Sequence, residues 1–231
     1  MNKGLFITGT DTGVGKTVVS SILLASLRQS GIDAVPMKPV QTGCTSRKGK
    51  LVAPDLEFML DFAGIKPDKI SLNLMCPYKF KPECSPHLAA TMAGKPISLS
   101  RIMAAFKKLT RKHQVVIAEG AGGVLAPVSD RKTMLNLMKL LNLPIILVAR
   151  PGLGTINHTL LSIREIRRAR LELKGVIFNQ TKPGNPGYIE KDNMKIIARL
   201  GKVKILGFIP FTSEAPRGLP RGILAKASEI R

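Results

Sequence analysis

The apolar run Leu5-Phe6-Ile7 leads directly into Gly9-Thr-Asp-Thr-Gly-Val-Gly-Lys-Thr17. A strand that opens into a glycine-rich loop ending in Gly-Lys-Thr is built to hold the phosphates of a nucleoside triphosphate. Backbone N–H groups line such a loop, the lysine reaches the β- and γ-phosphates, and the threonine hydroxyl can ligate Mg²⁺. The helix that follows adds its positive end to the same anion site. Thr12, Gly13, Val14, Gly15, Lys16, Thr17 and Val18 are therefore the expected phosphate cradle, with ATP and Mg²⁺ as ligands. The usual pattern places its first glycine where Thr10 stands. Gly9 comes one residue earlier, which makes this a variant of the loop.

The rest of the chain alternates strand and helix. A strand is expected at 4–8, a helix at about 16–30 and a second strand at Ala34-Val35-Pro36-Met37. Asp55 follows Pro54, as at a helix start. Residues 70–75 read as an edge strand, with helices near 86–94 and 98–112. Val115-Val116-Ile117-Ala118 is an apolar strand ending in Glu119, and Gly120-Ala121-Gly122-Gly123 reads as the turn after it. Helices near 132–142, 155–170 and 190–200 then alternate with strands at 145–148, 174–178 and 203–208. Uninterrupted Val/Ile/Leu runs between helices are what a parallel sheet covered on both faces demands. The expected fold is α/β: one P-loop NTPase-like domain over residues 1–215, mostly parallel, with a basic Pro- and Gly-containing extension at 216–231.

Composition narrows the setting. No stretch of 18 apolar residues suggests a membrane span, and the phosphate loop lies too near the start for a signal peptide to precede it. Cys44, Cys76 and Cys84 form no C-x-x-C pair and are odd in number, which suits a reducing cytoplasm. The net charge is +21. Its basic residues are spread along the chain, aromatic residues are few and Trp is absent, so a stacking platform for single-stranded nucleic acid is poorly supplied. Solvated basic faces are the expected reading, and nucleic acid is not an expected partner.

Ligands of a parallel sheet collect at the carboxyl ends of its strands. Four features fall there: the loop, Lys38, Glu119 with its glycines, and Asn179. Thr17, Asp55 and Glu119 could supply three oxygens to Mg²⁺, which favours oxygen ligands and keeps several waters. A second lysine, Lys38, would face Lys16 across a transferred phosphoryl group and offset its charge.

Seven segments in order carry a family likeness: Gly9–Thr17, Met37-Lys-Pro-Val-Gln-Thr-Gly43, Asp55, Ser85-Pro-His-Leu-Ala-Ala90, Glu119–Gly123, Gly154-Thr-Ile-Asn-His158 and Val176-Ile-Phe-Asn179. Over about residues 4–212 the chain closely resembles the dethiobiotin synthetase family of ATP-dependent carboxylases. The resemblance implies a homodimer that converts 7,8-diaminononanoate and CO₂ (or bicarbonate) to dethiobiotin. The steps would be a carbamate, a carbamic–phosphoric anhydride and ring closure. Lys16 and Lys38 would be catalytic, and Thr17, Asp55 and Glu119 would hold Mg²⁺. Gly120, Ala121 and Gly122 would border the nucleotide, with Gly122 also touching the carbamate. Lys38 and Thr42 would meet the substrate. Gly154, Thr155, Ile156 and Asn157 would present a helix N-terminus to its carboxylate from the opposite subunit. Asn179 and Gln180, with Pro210, Phe211 and Thr212, would form the adenine pocket.

Three features depart from that family pattern: the strong basicity, the Pro/Gly-rich insert after Gln180, and the tail from Arg217 to Arg231. A partition-type ATPase that binds DNA non-specifically is the main alternative, and the charge would suit it. Such proteins place a lysine early in the loop, commonly where Asp11 stands, and lack the Lys38 motif. An amide-forming relative acting on a corrinoid precursor would need a glutaminase module for which the chain is too short. A nucleotide-binding scaffold without turnover fits poorly with an intact Lys16, Lys38, Asp55 and Glu119 set.

Overall fold

The computed structural model describes residues 4–211, so Thr212 and the expected extension at 216–231 lie outside the described residues. The first half contains β1 (Gly4–Gly9), α1 (Lys16–Gln29), β2 (Ala34–Met37), β3 (Val40–Gln41), β4 (Thr45–Arg47), β5 (Lys50–Val52), α2 (Pro54–Phe62), α3 (Lys69–Met75), β6 (Tyr78–Lys79), α4 (Pro86–Met92) and α5 (Leu99–Lys112). The second half contains β7 (Val115–Gly123), β8 (Pro127–Ser129), β9 (Lys132–Thr133), α6 (Met134–Leu141), β10 (Ile145–Ala149), α7 (Thr155–Arg168), β11 (Leu173–Asn179), α8 (Tyr188–Gly201) and β12 (Ile205–Ile209).

Six strands form one sheet in the order β12-β11-β10-β1-β7-β2, and every pairing in it is parallel. All six residues of β1 and all five of β10 are buried, as strands covered on both faces must be. The chain leaves β1 for β2 on one side. After β7 fills the gap between them, it continues to β10, β11 and β12 on the other. That reversal beside β1 opens a crevice at the carboxyl ends of β1 and β7, where the phosphate loop begins.

Two segments differ from their sequence reading. Residues 69–75 are helix α3, not an edge strand. Asp68 caps it by accepting from the Ser71 N–H at 2.8 Å, and Ser71 and Met75, four apart, are its buried positions. Over so short a run, alternating apolar residues satisfy either period, and the cap decides for helix. The second is the stretch 120–123, which continues β7 to Gly123 instead of turning away. Its register against β1 shifts between Ile7 and Gly9, so Glu119 lies opposite Ile7 inside the strand.

The segment after β2 is tied down through backbone bonds: Lys38 N donates to Met75 O, Phe80 N to Gln41 O and Cys44 N to Phe80 O, at 2.7–2.9 Å. The short parallel pair β3–β6 thus carries the Lys38–Gly43 motif past the end of β2 and toward the phosphate loop.

Candidate nucleotide and substrate site

The loop after β1 has its own reasons for its glycines. A Cβ at Gly9 would meet the Asp11 carbonyl oxygen at 2.9 Å and Val14 Cγ2 at 2.8 Å, so the glycine is needed there and Thr10 can stand where the usual pattern has one. Gly15 sits in the left-handed region at φ 91° and forms the N-terminal boundary of α1, without any side-chain cap. The first-turn N–H groups of α1 are therefore not taken by a capping side chain. Lys16 folds back over the loop, its Nζ donating to the Asp11 carbonyl at 2.8 Å. It is buried, and burial, followed by the nearby Lys38 charge, pushes its pKa down to about 8.

Lys38 enters the same space from the end of β2. Its Nζ lies 2.6 Å from both Glu119 Oε1 and Asp55 Oδ2. Burial alone would depress this lysine, but the Glu119 and Asp55 carboxylates outweigh burial and hold the ammonium above its ordinary value. The reverse holds for Asp55: burial would raise its pKa, and Lys38 takes it below the usual carboxylate range. Thr17 Oγ1 donates to Glu119 Oε1 at 2.9 Å, and Gln41 Nε2 donates to Asp55 Oδ2 at 3.2 Å. Glu119 is fully buried, yet its Oε2 has no hydrogen-bond partner among the described residues. A buried carboxylate oxygen without a hydrogen-bond partner is a fitting donor for Mg²⁺, as are Thr17 and Asp55. No group of three or more His, Cys, Asp or Glu side chains placed to hold a metal ion occurs among the described residues.

These groups share one cavity of about 870 Å³. It brings together Thr12, Gly13, Gly15, Lys16, Thr17, Lys38, Thr42, Asp55, Glu119, Ala121 and Gly122. Val14 is buried in the core, Val18 packs against it, and the Gly120 carbonyl accepts from Lys38 Nζ at 3.4 Å. Gly154 and Thr155 are elsewhere, on a second cavity of about 500 Å³ with Gln180, Arg150 and Lys182. Ile156 packs on the core and Asn157 is exposed. Asn179 lines neither cavity: it is buried with its Nδ2 donating to the Val14 carbonyl at 3.2 Å. Pro210 and Phe211 are exposed at the end of β12. Sequence reasoning missed Gln41, which steadies Asp55, and the pairing of Asp11 with Arg150 at 3.6 Å. Gln41 was visible as a polar residue within the Lys38 motif. Arg150 had no signal, because its partner is distant in sequence. Glu83 and Cys84 also line the main cavity.

A phosphate loop at the crevice of a doubly covered parallel sheet, joined by a lysine between two carboxylates, defines the class of P-loop nucleotide-dependent proteins. A family model described as AAA domain matches residues 3–216. The chain is 37% identical over 221 residues to the ATP-dependent dethiobiotin synthetase BioD of Thermodesulfovibrio yellowstonii, covering 93% of this chain and 91% of that one. It is 39% identical over 213 residues to the ATP-dependent dethiobiotin synthetase BioD of Halalkalibacterium halodurans, covering 92% and 86%. The chain belongs to the dethiobiotin synthetase family. A solved ParA family ATPase from Chlorobium tepidum TLS aligns with a TM-score of 0.56 at 12% identity, covering 100% of this chain and 92% of that one. That likeness is one of fold alone, so it lends the partition-type alternative no support beyond the shared sheet.

Proposed function

We propose that this chain carboxylates 7,8-diaminononanoate with CO₂ and closes the ureido ring of dethiobiotin, cleaving ATP to ADP and phosphate. Its family makes it an ATP-dependent ligase of biotin synthesis. The observation that carries the mechanism is the placement of Lys38, 2.6 Å from two carboxylates, on the same cavity wall as Lys16 and the phosphate loop.

One amine attacks CO₂ and loses a proton, giving a carbamate. A carbamate oxygen then attacks the γ-phosphorus and ADP leaves. The second amine attacks the carbonyl carbon of the mixed anhydride, expels phosphate and releases a proton as the ring closes. Lys16 holds the β- and γ-phosphate oxygens, and Lys38 offsets charge on the carbamate and on the phosphoryl group in flight. Fixed ammonium groups act strongly here because both lysines are buried. Thr17, Asp55 and Glu119 would hold Mg²⁺, which would supply charge neutralisation for the triphosphate. Thr42 and Gly122 border the reacting end. Gln180, Pro210 and Phe211 would flank the adenine.

The assembly we propose is a cytoplasmic homodimer. Residues 154–157 do not line the main cavity, so a substrate tail bound there would be met by a second copy. Leu125, Leu153 and Leu161 are exposed near that region, Leu153 at 95%, and apolar side chains so displayed suit an interface between copies. No helix among the described residues is long and apolar enough to cross a membrane.

Phosphate release should be followed with and without the diamine and bicarbonate, across ATP, CTP and GTP. Release that requires both substrates supports the reading. Release indifferent to the diamine would overturn it.

A further inference from the structure

We propose that Lys38 and Mg²⁺ compete for one carboxylate oxygen, so that the ion displaces the ammonium from Glu119 when it binds. The proposal rests on the reading of Thr17, Asp55 and Glu119 as metal donors and goes beyond it, making the second lysine a rival occupant of their site. The oxygen in question is Glu119 Oε1, which accepts from Lys38 Nζ at 2.6 Å and from Thr17 Oγ1 at 2.9 Å. The same Nζ lies 2.6 Å from Asp55 Oδ2. One ammonium thus joins two of the three donors, and the third is bonded to the oxygen it holds.

Magnesium takes oxygen ligands at about 2.0–2.1 Å in an octahedron, which puts neighbouring ligands about 2.9 Å apart. Thr17 Oγ1 and Glu119 Oε1 already stand at that spacing. An ion that used this pair together with Asp55 would take the oxygens Lys38 bridges, and two cations cannot share them at such distances. Charge balance argues the same way. Glu119 and Lys38 are both buried, so the carboxylate needs a cation close by. Mg²⁺ offsets both carboxylates by itself and makes the ammonium surplus between them. An ammonium so displaced is left in the cavity that Lys16 and the phosphate loop line. The partnerless Oε2 of Glu119 offers the alternative, a metal held on that side with Lys38 left in place.

The test is the affinity of the full chain for Mn²⁺, a spectroscopic substitute for Mg²⁺, measured without nucleotide from the paramagnetic resonance signal of the unbound ion. Wild type, K38M, K16M and K38M/E119Q are compared. Removing a charge-assisted competitor should tighten Mn²⁺ binding by about tenfold in K38M. K16M removes an equal charge from the same cavity. Lys16 Nζ donates to the Asp11 carbonyl and pairs with no carboxylate among the described residues, so the gain in K16M should stay under about threefold. If K38M does not fold, the neutral K38Q, which keeps an amide donor, carries the comparison, with melting temperature as the check. K38M binding no tighter than wild type would overturn the proposal, since Lys38 would then stay in place beside the metal. Equal gains in K38M and K16M would overturn it too, as an effect of net charge alone. A gain that survives in K38M/E119Q would put the ion elsewhere and overturn the metal set itself.

Discussion

The phosphate cradle and the start of α7 are both glycine-led helix N-termini at the carboxyl edge of one sheet, yet they are built differently. At the cradle, Gly15 precedes a helix whose lysine is buried, and beside it Lys38, Asp55, Glu119 and Thr17 are joined to one another within hydrogen-bond distance. At α7, Gly154 has a similar left-handed backbone, φ 87°, but Leu153 beside it is exposed and no carboxylate cluster faces it. The first gathers two lysines and two carboxylates in one cavity, while the second is lined by Arg150, Gln180 and Lys182 around the helix start. A helix N-terminus becomes a reaction centre through what converges on it, and its dipole alone does not suffice.

Lys38→Ala should give the largest effect, because it removes the ammonium proposed to offset charge on the carbamate and on the phosphoryl group in flight. Turnover is expected to fall by about 10³-fold, with ATP affinity changing less than about tenfold. Equal losses in both, measured by phosphate release and calorimetry, would reduce Lys38 to a binding residue. Glu119→Gln should follow, with about 10²-fold lower turnover and a weaker response to Mg²⁺. It leaves Lys38 paired with Asp55 alone, so urea titration should show a loss of about 1–3 kcal/mol. An unchanged Mg²⁺ requirement would remove Glu119 from the proposed metal set.

The α7 side is sharpened by Leu153→Asp. Sedimentation should show the dimer dissociating, and turnover should drop about tenfold or more while ATP binding stays as it was. A monomeric variant with full activity would mean that each chain completes its own substrate site. The smallest effect is one of pH. Lys16 loses its proton near pH 8 in the free protein, and a bound triphosphate favours the protonated form, raising its pKa. ATP affinity should therefore hold below pH 7, decline as pH rises through 8, and be about tenfold weaker by pH 9, with proton uptake on binding near pH 8. Flat affinity from pH 7 to 9, without uptake in buffers of different ionisation enthalpy, would contradict this placement of Lys16.

Most of the fold was legible because its signals are local. The buried runs at 4–9 and 145–149 are apolar on both faces, and the amphipathic spacing of 155–168 marks a helix without reference to anything distant. The misreading at 70–75 came from a run too short for its period to be unique, where the Asp68 cap carried the decisive information. The continuation of β7 through Gly123 was hidden for another reason: glycines signal a turn unless a neighbouring strand stays close enough to pair, and β1 does. At the site, residues inside recognisable segments could be named in advance. Their partners could not: the Asp11–Arg150 pair and the Asn179–Val14 bond join residues far apart in sequence.

The order of residues by itself determined the phosphate loop, the alternation of parallel strands with helices, and the candidate set Lys16, Lys38, Asp55 and Glu119, since each depends on neighbours along the chain. Only the tertiary structure decided that Lys38 lies between two carboxylates, that Asn179 stands under the loop, and that residues 154–157 face a different cavity. Those relations depend on strand order and register, and a sheet that inserts β7 between β1 and β2 makes neighbours of residues that nothing along the chain connects.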